Sequence, residues 1–113
     1  MIGLHLTIDA VMLDPVDRGL LERVLRDLPS KIDMNVLHEP VVVEGHMSNP
    51  GLTGFVIIDK SHIAIHTFTE TNLISFDVFS CKEFDFEKIR RFILSNMRLD
   101  HINLNFFKRE VAS

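Results

Sequence analysis

The chain has 113 residues, 46% of them hydrophobic and 25% charged, with a formal net charge of −4. These values fit one globular domain over residues 1–113 and argue against nucleic acid and anionic membrane surfaces as partners. The one cysteine excludes an internal disulfide, and Asp9 and Asp14 interrupt any signal peptide. No apolar run nears the roughly 20 residues of a membrane span, so a soluble cytoplasmic protein is expected.

Residues 2–9 alternate and are rich in β-branched types, which predicts a strand. Asp14 and Pro15 have the form of an N-cap followed by proline at the first helical position. Leu20, Leu21, Val24, Leu25 and Leu28 follow at helical spacing, so a helix is expected over 15–28, closed by Pro29. Residues 33–44 read as a second strand interrupted near Pro40. The composition of 45–51 predicts a loop. Strands are expected at 53–60, 62–68 and 73–80, with a turn at 70–72. A second helix is expected over 84–97, capped by Asp85 and striped by Phe86, Ile89, Ile93 and Met97. A last strand over 101–108 would place Ile102, Leu104 and Phe106 on one face.

The order β-α-β-β-β-β-α-β predicts an α+β two-layer sandwich. A mostly antiparallel sheet would carry both helices on a single face. Its other face would be left open, and an open apolar face predicts a homodimer.

The run KSHIAIHTFTETNLISFDVFSC, from Lys60 to Cys81, concentrates the chemistry. A hydroxyl, imidazoles, acids and the only thiol lie here within apolar strands. Taken singly, Ser61 reads as a turn residue, Cys81 as a small buried hydrophobe and His66 as a hydrogen-bonded histidine. Phe68 and Phe79 read as core. A metal site is not expected. His62 and His66 on one strand face would stand about 13 Å apart, and no CxxC or HExxH is present.

The segments KSHIAIHTFTE and LISFDVFSC resemble, at preserved spacing, ESHISIHTWPE and YAAVDVFTCG of the short bacterial and archaeal S-adenosylmethionine decarboxylase family. IGLHLTIDA is similar to that family's opening GxHLxxD strand, and GLTGFVIIDKSH to its GVSGVVVxxESH. The resemblance implies self-cleavage between Lys60 and Ser61 through an N→O acyl shift. Elimination then turns Ser61 into a pyruvoyl cofactor, whose carbonyl takes the substrate amine and serves as an electron sink. It further implies that His66 assists the elimination and that the Thr53 hydroxyl supports processing. Cys81 returns a proton to the substrate, and Glu70 and Phe68 bind it. The implied substrate is S-adenosylmethionine, in polyamine biosynthesis.

The chain departs from the family pattern at several points. TFTE replaces TWPE, Lys82 replaces a glycine, and HEPVVVEGHMSNPG replaces the HKFxPQG loop. Two alternatives follow: a decarboxylase of another amino acid such as arginine, or an uncleaved, non-enzymatic relative acting as a binding or regulatory module.

Overall fold

Alternation of apolar and polar residues builds one six-stranded sheet. In the computed structural model, which describes residues 1–112, the strands are β1 (Gly3–Met12), β2 (Val36–Glu44), β3 (Leu52–Ile58), β4 (Ser61–Phe68), β5 (Leu73–Ser80) and β6 (Leu99–Arg109). They lie in the order β2-β3-β4-β5-β1-β6, and every pairing is antiparallel. Helices α1 (Arg18–Asp27) and α2 (Phe86–Asn96) share one core with the sheet. This is the two-layer α+β arrangement expected from the element order.

The pleat divides side chains by parity. In β4, Ser61, Ile63, Ile65 and Thr67 are buried towards the helices, while His62, Ala64, His66 and Phe68 face the other way. Leu21, Val24 and Leu25 of α1 and Ile89 and Ile93 of α2 fill the space above the sheet. Each fully buried aliphatic side chain contributes about 1.5–3 kcal/mol. Packing of this size, not intrinsic propensity, holds helices of only 10 and 11 residues. Gly54 on β3 permits the close approach of α1, because a Cβ there would lie 2.7 Å from Leu25 Cδ1.

Several boundaries differ from expectation. The N-cap of α1 is Asp17, whose carboxylate accepts the Leu20 N–H at 2.8 Å. Asp14 is instead drawn to Arg98, at 3.2 Å. Pro29 does not end the winding; the chain tightens into a 3-10 turn over Leu28–Ile32. Asp33 stops that turn in the left-handed region, at φ 54°, so β2 starts at Val36. Pro40 sits in edge strand β2, where the register slips between His38 and Val41. Asp85 caps α2 as expected, accepting the Glu87 N–H at 3.0 Å, but the helix begins at Phe86. β1 extends to Met12 and β6 begins at Leu99. His101, at φ 50°, lies where the β1–β6 register shifts. That irregularity leaves Ile102 exposed, whereas Leu104 and Phe106 pack on the core.

Candidate active site

The β3–β4 hairpin closes through two residues, Asp59 and Lys60, because Ile58 pairs with Ser61. Lys60 is therefore a turn residue and not the end of a strand. Its φ of 47° is in the left-handed region that a residue with a Cβ adopts at a cost of about 1 kcal/mol or more. The peptide bond that follows leads into Ser61, the first residue of β4. A hydroxyl thus stands next to a backbone bond in a strained turn.

Strand pairing brings the end of β5 to the same place. Ser61 Oγ accepts the Cys81 N–H at 2.9 Å. The Cys81 thiol donates to the Asp59 carbonyl at 3.4 Å. Ser61 is buried, Cys81 half-buried and Lys60 exposed. Two of the three reactive groups singled out in the sequence therefore meet at one end of the sheet.

His66 does not join them. It lies five residues along β4, about 16 Å away, and the odd spacing turns it to the opposite face. There it shares a hydrogen bond with Thr53, its direct cross-strand partner, at 3.1 Å between Thr53 Oγ1 and His66 Nδ1. Phe68 is exposed on that face at the same end of β4. Glu70 follows in the exposed turn to β5. The candidate residues form two clusters: Lys60, Ser61 and Cys81 at one end, and Thr53, His66, Phe68 and Glu70 at the other.

The open face between them is not inert. Asp77 accepts from His5 at 2.6 Å and from His62 at 3.2 Å. Burial works to raise the Asp77 carboxyl, but the hydrogen bonds and charges of His5 and His62 outweigh it and hold the group below the ordinary aspartate value. His5 stacks on Phe107 with ring centres 5.2 Å apart. Ser75, opposite His66, donates to Asp9 at 2.6 Å. Sequence spacing did not point to His5, Asp77, Ser75 or Asp9, because their association depends on the register between distant strands. Phe55, Ile57, Phe68, Leu73 and Phe107 leave apolar surface exposed on this same face.

The sequence profile of the S-adenosylmethionine decarboxylase family matches residues 4–110, which include both clusters. The chain belongs to the S-adenosylmethionine decarboxylase family. Membership makes the protein a decarboxylase. It is similar to an S-adenosylmethionine decarboxylase proenzyme of Thermococcus onnurineus, with 26% identity over 97% of this chain and 79% of that protein. Against a proenzyme of the same description from Clostridium botulinum the identity is 31%, over 84% of this chain and 83% of the relative. The crystal structure of the adenosylmethionine decarboxylase of Aquifex aeolicus has the same fold, with a TM-score of 0.77 at 24% identity over 99% of this chain and 93% of that one. Among the described residues, no helix of this family member is long and apolar enough to cross a membrane.

Proposed function

We propose that the protein decarboxylates S-adenosylmethionine after cutting itself between Lys60 and Ser61, and that it works as a homodimer. The observation that carries this is the junction itself. Lys60 is held left-handed, and the Ser61 hydroxyl directly after it is fixed by the Cys81 amide. Ser61 Oγ attacks the Lys60 carbonyl carbon; a C–O bond forms and the C–N bond breaks. Loss of the Cα proton of residue 61 then expels the Lys60 carboxylate. Water displaces the nitrogen as ammonia, leaving a pyruvoyl group at the head of β4.

The residues present fit that group. It would replace a side chain already buried at a strand start, with the Cys81 amide and thiol beside it. The group supplies a carbonyl that takes the substrate amine and draws electrons from the bond to the departing carboxylate. The Cys81 thiol gives a proton to the carbon left behind. His66, oriented by Thr53, moves the proton in the elimination. Phe68 offers a flat apolar surface to the substrate, and Glu70 accepts hydrogen bonds from its hydroxyls. The product would supply aminopropyl groups for polyamines.

The separation along β4 supports the dimer. His66 of one chain stands about 16 Å along β4 from Ser61 of that chain, too far to touch it. A second copy laid on the open face can bring its Thr53–His66 pair to the Ser61–Cys81 end of the first. The exposed Phe55, Ile57, Phe68 and Phe107 give that contact an apolar surface.

Intact-mass measurement on purified protein, with CO₂ release from S-adenosylmethionine and from arginine, tests the proposal. Two fragments splitting at Lys60/Ser61, and release from S-adenosylmethionine alone, are expected. A single species at 13.0 kDa with no release would overturn it in favour of an uncleaved relative. Release from arginine alone would reassign the substrate.

A further inference from the structure

Cys81 is held on both sides by its neighbours. The wholly buried Ser80 hydroxyl donates to the Lys82 carbonyl at 2.8 Å and accepts the Lys82 N–H at 3.2 Å. These two bonds close a small ring around the Cys81 backbone. Beyond it, the Lys82 ammonium donates to the Asp33 carbonyl at 2.6 Å. Asp33 is itself fixed, because its N–H returns to the Pro29 and Ser30 carbonyls at the end of the 3-10 turn. That turn belongs to the helix layer, where Leu28 and Ile32 are core residues. One side chain thus ties the end of β5 to the helix layer across 49 positions of sequence.

We propose that Lys82 is a positioning residue for the cleavage junction. With Ser80 it clamps Cys81, keeping the amide of Cys81 on the Ser61 hydroxyl and the thiol on the Asp59 carbonyl. The inference rests on the cleavage reading above and goes beyond it. The Lys82 tether is a charge-assisted hydrogen bond to a fixed carbonyl. The Ser80–Lys82 ring and the Lys82 tether involve neither Lys60 nor Ser61, so the hold on Cys81 is testable whether or not cleavage occurs.

Cys81 is the only thiol, so its alkylation by iodoacetamide reports the clamp without interference. The rate constant would be measured on the native protein, on Lys82→Gly, Lys82→Met and Lys82→Arg, with thermal unfolding as a check of folding. Losing one such bond should raise the rate about fivefold in both the Gly and Met variants. Lys82→Arg, which keeps a donor and a charge, should stay within about twofold of the parent. Loss of a nearby cation alone would slow thiol alkylation, so a rise reports release of the clamp. Unchanged or slower rates in Lys82→Gly and Lys82→Met overturn the proposal. A rise in Lys82→Gly alone also overturns it, since that would reflect backbone freedom only. Intact mass on the same samples separates the two ideas: an unsplit parent protein counts against the cleavage reading, while the alkylation rates still decide the clamp.

Discussion

The Cys81 amide nitrogen donates to the Ser61 hydroxyl oxygen 2.9 Å away, joining residues 20 positions apart just past the end of β5 and at the start of β4. The proposed cleavage starts from the hydroxyl that this contact fixes.

Ser61→Ala should leave a single species near 13.0 kDa on intact-mass analysis, because no hydroxyl remains to attack the Lys60 carbonyl. The variant should also unfold more easily. The Cys81 N–H loses a part-buried acceptor, which costs about 1–2 kcal/mol. Urea denaturation would read that loss against parent chain that is still uncut, where the Ser61 hydroxyl is present.

Cys81→Ser separates cleavage from turnover. The cut should still occur, since Ser61 and its strained turn are intact. Release of CO₂ should fall about 100-fold or more, because a hydroxyl is a far weaker acid than a thiol. Equal turnover in the two proteins would remove Cys81 from the proton transfer.

Mixing two inactive chains tests whether the site is shared. Ser61→Ala keeps His66, and His66→Ala keeps Ser61. Neither should be cut alone. Co-expressed, they should form mixed dimers in which only the His66→Ala chain is cut, seen as fragments of that chain's mass. No cutting in the mixture would mean that His66 acts within its own chain, and cutting of His66→Ala by itself would mean that His66 is not needed.

Asp77 gives the fold a dependence on acid. Its carboxyl is held below the ordinary value near 3.8, so the folded chain binds a proton there less readily than the unfolded chain. The stabilisation is therefore present above that ordinary value and is lost as pH falls through the lower, folded value. Asp77→Asn should lower the urea midpoint at pH 6, where the parent carboxylate is charged. The difference should shrink as pH drops below about 4. A constant difference across the range would mean that the aspartate acts by shape and not by charge.

Much of this was readable in the order of residues. Periods of 2 and 3.6 located every strand and both helices, whereas Ser61 and Cys81 were tied together only by the family resemblance. The helix start was misplaced because Asp14 and Asp17 are both competent caps. Only the salt bridge from Arg98, 84 positions away, draws Asp14 aside. Lys60 read as strand because a charged residue carries no mark of a positive φ. The separation of His66 from Ser61 was latent in their odd spacing. The association of Asp77 with His5 and His62 was not legible, since it arises only when β1 and β4 flank β5.

A cut after Lys60 would leave β1, β2 and β3 on one piece and β4, β5 and β6 on the other. In the sheet, β1 lies between β5 and β6, and β3 lies against β4. The two pieces would thus be interleaved, joined by three hydrogen-bonded ladders: β3–β4, β1–β5 and β1–β6. Neither could leave without stripping a strand from the middle of the other's sheet, so the severed protein would stay together with no covalent link between its halves.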